Sequence, residues 1–91
     1  MSLVIDRPKP GAELLLYTTS GCHLCEKAKT ALWPVLSLYE LRLREVDIAE
    51  SDALIERYGM RIPVVALADR PGELDWPFTS EQVAHLVCSP D

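Results

Sequence analysis

The most constraining feature of this sequence is a change of hydrophobic period at residue 22. The unbroken apolar run over residues 14–17 is typical of a short central strand that is covered on both faces. From Cys22 onward the apolar residues recur at helical spacing and predict an amphipathic helix, with Leu24, Ala28, Ala31, Leu32 and Val35 on one face. Pro34 would kink or restart that helix, because proline has no N–H to donate to the carbonyl of Thr30. Cys22 and Cys25, separated by two residues, therefore stand where a strand turns into a helix.

The middle of the chain continues the alternation of strand and helix. Residues 41–48 alternate between two faces, with one change of phase, and predict a second strand. Ser51 or Asp52 can cap a short second helix, which Gly59 is well placed to end. These segments predict a strand, a helix, a parallel second strand and another helix, with a right-handed crossover between the two strands.

The C-terminal third predicts a hairpin and a last helix. Residues 62–67 form a buried strand that opens with Pro63, residues 69–72 a turn, and residues 73–76 the hairpin partner. Residues 79–82 have the pattern of a capping box ahead of the apolar face of the last helix.

These elements together predict an α/β fold with the order β-α-β-α-β-β-α. Helices should cover both faces of a four-stranded mixed sheet. The prolines and glycine of residues 1–12 predict an extended N-terminal lead-in, so that residues 13–91 form a single domain.

Charge and composition exclude several classes of function. The 14 acidic and 9 basic residues give a net charge of −5, and the basic residues form no stripe, which argues against nucleic acid as a partner. The N-terminus lacks the apolar core of a signal peptide, and no apolar run approaches the roughly 18 residues of a membrane span. We therefore expect a cytoplasmic protein with no membrane partner.

The three cysteines point to chemistry rather than to a structural disulfide framework. Their number is odd and small, and closely spaced cysteines in a reducing compartment are more often catalytic or metal-binding. At a helix N-terminus the Cys22 thiolate would be stabilised by unpaired amides and the helix dipole. Cys25 lies one turn later in phase with the apolar face and should be more buried. We predict that Cys22 attacks a disulfide and that Cys25 resolves the mixed disulfide.

Other interpretations of the pair stay open at this point. The two cysteines can be small packing residues, or half of a metal site, for which Cys88, His23 and His85 are the remaining candidate ligands. His23 either adds positive charge beside the thiolate or is merely solvated. We interpret Cys88 as a packing residue and His85 as a solvated one. An iron–sulfur module bridged by Cys22 between two subunits and a non-catalytic interaction module are the alternative functions.

Two segments together carry a resemblance to a known family. Residues 17–25, which read Tyr-Thr-Thr-Ser-Gly-Cys-His-Leu-Cys, and residues 61–65, which read Arg-Ile-Pro-Val-Val, resemble the glutaredoxins of the thioredoxin-fold superfamily. Residues 72–78 look like a group of short bacterial glutaredoxin-like proteins. The resemblance runs from about Leu14 to Val87. It implies a thioredoxin-like fold with sheet order 2-1-3-4, a cis Pro63 that packs against the cysteine pair, and an Ile62 backbone free to pair with a bound peptide or glutathione.

The resemblance also defines where this chain departs from glutaredoxins. Thr19 stands where glutaredoxins usually have a lysine, and residues 76–79 replace a Gly-Gly-x-Asp segment that binds glutathione. Thr79 and Ser80 at a helix N-terminus, and Arg61 or Arg57, are the groups that could replace these contacts.

The sequence therefore predicts a thiol–disulfide oxidoreductase that acts on protein or small-molecule disulfides. We predict Cys22 and Cys25 as catalytic residues and a substrate-binding set of His23, Arg61, Ile62, Pro63 and Thr79. We expect a monomer with no bound metal and no tightly bound cofactor, and glutathione is a candidate co-substrate.

Overall fold

The structure is a computed structural model that describes residues 11–68 and 72–88. Most of the predicted lead-in and of the turn at residues 69–72 lies outside the described residues. The order of elements is as predicted, with one short 3₁₀ turn added. The elements are β1 (Glu13–Thr18), α1 (His23–Tyr39), β2 (Arg42–Asp47), the 3₁₀ turn (Ile48–Glu50), α2 (Asp52–Tyr58), β3 (Val64–Leu67), β4 (Glu73–Asp75) and α3 (Ser80–Cys88).

The four strands form one mixed sheet in the order β2-β1-β3-β4, which confirms the predicted topology. Strand β1 runs parallel to β2, in a register that pairs Glu13 with Arg42 and Thr18 with Asp47. Strand β3 is antiparallel to both β1 and β4, and Tyr17 pairs with Val64. The C-terminal end of β1 therefore lies beside the C-terminal end of β2 and the N-terminal end of β3.

Period-two alternation on β1 divides its side chains between two cores. Leu14 and Leu16 are fully buried in the larger core, which contains residues of α1 and α3. Tyr17 points to the other face, where it stacks on Tyr58 of α2 with ring centroids 4.1 Å apart. Helices therefore cover both faces of the sheet, as predicted. None of the helices in the described residues is long and apolar enough to cross a membrane.

Helix α1 contains a proline in its interior, at a position that is exposed to solvent. It runs without a break through Pro34, so the predicted restart does not occur. Pro34 is exposed, and water can solvate the Thr30 carbonyl that receives no N–H from it. The helix ends at Glu40, a non-glycine residue in the left-handed conformation with φ 53°, whose N–H donates to the carbonyl of Leu36.

Several predicted boundaries shift by one or two residues. Strand β2 is shorter than residues 41–48 because its last predicted residue, Ile48, opens the 3₁₀ turn. Of the two candidate caps of α2, Ser51 is the one used, and its hydroxyl accepts the N–H of Leu54 at 3.4 Å. Strand β3 begins at Val64, so Pro63 lies immediately before the strand rather than within it. The Ile62–Pro63 and Trp76–Pro77 peptide bonds are both cis.

An ionic cluster ties the loop before β3 to strand β4. Arg61 donates two hydrogen bonds to Asp75, at 3.0 and 2.8 Å, and one to Glu73 at 2.8 Å. Glu73 also accepts a hydrogen bond from the Tyr58 hydroxyl, and Arg57 lies 3.4 Å from the same carboxylate. The Tyr58 bond, followed by the Arg61 bond, lowers the pKa of Glu73 against the opposing effect of burial. The cluster therefore holds the residues next to Pro63 in place.

We expect this cluster to make the free energy of unfolding depend on pH. Because the pKa of Glu73 is lowered in the folded chain, its contribution is complete above the ordinary value of 4.5 and is lost as the pH falls through the lower folded value. Glu73→Gln should therefore flatten the fall in stability below about pH 5, with Asp75 accounting for part of the remaining slope. Urea unfolding at pH 3 to 7 measures the effect, with Glu56→Gln on α2 as the control. If the free energy of unfolding fell in parallel with pH in Glu73→Gln and in the parent chain, this expectation would be wrong.

Candidate redox site

The site is built around a disulfide at the start of α1. Cys22 is the N-cap residue of the helix, and Cys25 lies in its first turn. The two sulfurs are bonded to each other, and the Cα atoms are 5.4 Å apart. Cys25 is only 4% exposed, whereas Cys22 is partly exposed. An external thiol or disulfide therefore reaches Cys22 first.

Local backbone chemistry places Cys22 where the helix begins. Gly21 has a φ of 80°, a left-handed conformation that a glycine adopts without strain and that turns the chain from β1 into α1. The N–H of Cys22 donates to the carbonyl of Thr19 at 3.3 Å and closes this turn. Cys22 itself is extended, with φ −80° and ψ 105°, as an N-cap residue requires.

Cys22 holds the N-cap position of α1, the position from which a side-chain oxygen caps many helices. In the disulfide no side chain caps α1, so the N–H groups of the first turn have no side-chain acceptor from residue 22. A thiolate formed on Cys22 by reduction would lie next to these amides and the positive end of the helix dipole, which favour a negative charge. The N-terminus of α1 can therefore favour the thiolate of Cys22 over that of Cys25.

A cleft of about 640 Å³ opens beside the disulfide. It is lined by both cysteines and His23, and by the charged residues Glu26, Lys29, Glu45 and Asp47. Lys29 lies 2.9 Å from Glu45 and 3.3 Å from Glu26, and these carboxylates raise the pKa of its ammonium group. Three acidic residues and one paired lysine therefore line the cleft, and this side of the disulfide is acidic.

Ile62 and Pro63 lie near the same end of the sheet as the disulfide. Tyr17 pairs with Val64 across β1 and β3, so the next residues along the two strands are Thr18 and Pro63. The N–H of Ile62 donates to the carbonyl of Tyr58 at 3.1 Å, and the carbonyl of Pro63 accepts the N–H of Trp76 at 3.0 Å. We expected the Ile62 backbone to be free, but its N–H already donates to Tyr58. A bound chain would have to pair with its carbonyl.

The other predicted substrate-binding residues differ in how they are placed. His23 is exposed and lines the cleft beside the disulfide. Arg61 lines a separate cleft of about 470 Å³ with Arg57 and Glu73, and its charge is balanced by the two carboxylates that it contacts. A guanidinium neutralised in this way offers little attraction to an anionic ligand. The binding roles of His23 and Arg61 stay predictions.

Thr79 acts as a helix cap. Its hydroxyl accepts the N–H of Gln82 at 3.1 Å, and its own N–H donates to the Gln82 side chain at 2.9 Å, which is the predicted capping box. The hydroxyl of Ser80 donates to the carbonyl of Ala31 at 2.6 Å. Both groups that were expected to hold a carboxylate thus have partners within the protein, and a binding role for Thr79 stays a prediction.

The segment that replaces the glutathione-binding motif of glutaredoxins packs into the core. Phe78 is 4% exposed within the larger core, and Trp76 packs against that core and meets the Phe78 ring edge-on at 5.1 Å. Cys88 also packs against this core and is not bonded to another cysteine, whereas His85 is exposed. Within residues 11–68 and 72–88, no three His, Cys, Asp or Glu residues are grouped as a metal site would require.

Sequence reasoning missed one residue that touches the cysteine pair. The Thr18 hydroxyl donates a hydrogen bond to the Cys25 sulfur at 2.8 Å. Its position could have been found from the alternation on β1, because Thr18 follows Leu14 and Leu16 on the face that packs against α1.

Comparisons with known proteins show the family and the fold of this chain. The family model described as "Glutaredoxin-like domain (DUF836)" matches residues 13–87. The crystal structure of protein XcR50 from X. campestris is 35% identical, covering 78% of this chain and 89% of that one, with a TM-score of 0.67. A search of curated proteins finds no significant match.

More distant structures establish the fold alone. The solution structure of protein Ne2328 from Nitrosomonas europaea is 24% identical and covers 96% of this chain and 99% of that one, with a TM-score of 0.72. A mutant thioredoxin from Halobacterium salinarum is 15% identical and covers 96% of this chain and 93% of that one, with a TM-score of 0.64. The fold is thioredoxin-like, and because the family model spans most of its length, the chain belongs to the glutaredoxin-like domain family.

Proposed function

We propose that this protein is a thiol–disulfide oxidoreductase whose Cys22–Cys25 pair cycles between dithiol and disulfide. The observation that carries the proposal is the disulfide at the start of α1, in which one sulfur is partly exposed and the other is buried. Membership of a glutaredoxin-like family supports a redox role for the pair. Three cysteines are too few, and odd in number, for a secreted disulfide framework. We therefore propose that the protein acts in the cytoplasm, as a monomer.

The two sulfurs have different roles in the proposed cycle. The Cys22 thiolate, stabilised by the first turn of α1, attacks a substrate disulfide, and one substrate thiolate leaves. The other half of the substrate is now bonded to Cys22 in a mixed disulfide. Cys25, one helical turn away, attacks the Cys22 sulfur and releases the second substrate thiolate. Two external thiol groups then return the pair to the dithiol: the first opens the disulfide by forming a mixed disulfide with Cys22, and the second displaces it and leaves joined to it as an external disulfide.

The charge of the cleft bears on the substrate. Glu26, Glu45 and Asp47 line the cleft beside Cys22, and the lysine among them is paired with two of these carboxylates. Glutathione carries a net negative charge, and the whole protein carries −5. Like charges slow the encounter of two molecules. We propose that neutral or basic disulfides and thiols, including those of proteins, react faster at this site than glutathione does.

Serine substitutions should separate the roles of the two cysteines. Cys22→Ser removes the nucleophile, so turnover of a model disulfide should fall to background and no covalent adduct should form. Cys25→Ser keeps the attack but removes the intramolecular displacement, whose advantage is the high effective concentration of a neighbouring thiol. A mixed disulfide should then accumulate on Cys22.

Intact-mass measurement before and after adding a reductant detects this adduct, and Cys88→Ser serves as the matched control because Cys88 is not bonded to the pair. An adduct that forms as readily on Cys25 in the Cys22→Ser chain as on Cys22 in the Cys25→Ser chain would contradict this assignment of roles. Full activity in both variants would exclude the proposed function.

Small thiols of different charge should reduce the oxidised protein at different rates, because the cleft beside Cys22 is acidic. We expect cysteamine, which is cationic, to reduce the oxidised protein faster than glutathione when both rates are corrected for thiolate concentration. Added salt should reduce the difference between the two rates. Glu26→Gln should speed the reaction with glutathione by roughly twofold, the size expected for one solvated charge nearby. Stopped-flow fluorescence or quenched mass analysis measures these rates, with Glu56→Gln on α2 as the control. A faster reaction with glutathione than with cysteamine at low salt would contradict this charge preference.

A further inference from the structure

The Thr18 hydroxyl makes a contact with the buried sulfur that the cycle described above does not use. Its oxygen lies 2.8 Å from Cys25 Sγ, and the hydroxyl is the donor. The other acceptor within reach is the carbonyl of Thr19, at 3.5 Å, the limit of hydrogen-bonding distance. The sulfur is therefore the main acceptor of this hydroxyl. Cys25 is 4% exposed and Thr18 is partly buried, and both residues also line the cleft beside the disulfide.

Strand β1 and helix α1 together hold Thr18 and Cys25 in contact. Thr18 ends β1 on the face that carries Leu14 and Leu16, which packs against α1. Cys25 lies on the buried face of α1, together with Ala28 and Leu32. The strand and the helix share one core, so the hydroxyl and the sulfur are held together by the same packing that forms the fold.

We propose that Thr18 is a positioning residue that stabilises negative charge on Cys25 Sγ whenever the Cys22–Cys25 disulfide opens. The proposal rests on the proposed function, because it assigns Cys25 as the sulfur that departs from Cys22. Cys22 has the amides of the helix N-terminus to stabilise its charge. Cys25 is buried one turn further along, where a thiolate is disfavoured unless a donor is near. Thr18 supplies that donor.

The step that Thr18 assists is the opening of the disulfide by an external thiolate. The thiolate attacks Cys22 Sγ and forms a new S–S bond, while the Cys22–Cys25 bond breaks and its electron pair passes to Cys25 Sγ. Cys25 is thereby reduced to a thiolate, and the external sulfur is oxidised into the mixed disulfide. A hydrogen bond to a thiolate is stronger than one to a neutral disulfide sulfur, so the Thr18 bond strengthens as the charge develops.

The reverse step should depend less on Thr18. When Cys25 attacks the mixed disulfide, the same hydrogen bond increases its thiolate fraction and decreases the nucleophilicity of that thiolate. These two effects partly cancel. Loss of the hydroxyl should therefore slow opening more than it slows closure, and the disulfide should become harder to reduce. A purely structural role for Thr18 would produce no such asymmetry.

Thr18→Val tests the proposal because it removes the hydroxyl and keeps a β-branched side chain at the end of a strand. We expect dithiothreitol to reduce the oxidised Thr18→Val chain about fivefold more slowly than the parent chain, the size of a hydrogen bond to a partly developed charge. Thr18→Ser should restore most of the rate. In the reduced chain, alkylation of Cys25 should shift to higher pH in Thr18→Val and return in Thr18→Ser. Thr30→Val, which removes an exposed hydroxyl from α1, should change neither readout.

Two results would overturn the assignment. One is an unchanged rate of opening and an unchanged alkylation profile of Cys25 in Thr18→Val. The other is a Thr18→Ser chain that is as slow as Thr18→Val while its thermal unfolding matches that of the parent. If Thr18→Val does not fold, Thr18→Ala removes the same hydroxyl without replacing it. A chain that opens its own disulfide but does not reduce model disulfides would refute the proposed function and leave the Thr18 measurement valid.

Discussion

The packing of helix α1 on strand β1 determines where the two sulfurs lie. Alternate residues of β1 face the helix, so Leu14 and Leu16 are fully buried against the apolar stripe that contains Ala28 and Leu32. Burial of each such leucine side chain contributes about 1.5 to 3 kcal/mol to folding. Because β1 lies between β2 and β3, the helix docks on one of the two inner strands of the sheet. The first turn of α1 is therefore fixed over the end of β1.

That docking makes the two cysteines chemically unequal. Cys22 stands outside the helix, next to the unpaired amides of the first turn, whereas Cys25 is carried inward on the buried face. The helix terminus can stabilise a thiolate only at the first position, and the core shields the second sulfur from external reactants. Within the core, the Thr18 hydroxyl is the donor in contact with the second sulfur. In the proposed cycle, this one feature of tertiary structure separates the attacking sulfur from the resolving one.

Much of this arrangement could be predicted from periodicity. The alternation of strand and helix, the greater burial of Cys25 and the capping box at Thr79 all depend on local patterns, and the structure has each of them. The sheet order was implied by the resemblance to glutaredoxins, and the structure has that order too. The partners of Arg61 could not be predicted in the same way. Its carboxylates come from β4, 12 and 14 residues along the chain, and only the antiparallel register of β3 and β4 brings them together. The N–H of Ile62 is occupied for a different reason, because a local turn directs it to the carbonyl of Tyr58, and no apolar pattern indicates that bond.

The most direct test of the central claim is the pH dependence of alkylation of each cysteine in the fully reduced chain, with the three sites separated by peptide mass analysis. We expect the rate at Cys22 to reach its half-maximum well below the pH of about 8.5 that is typical of a free thiol. Cys25 should react more slowly and at higher pH because it is buried, and unfolding in urea should remove the difference. Equal profiles centred near pH 8.5 at Cys22 and Cys25 in the folded chain would contradict the assignment of Cys22 as the nucleophile.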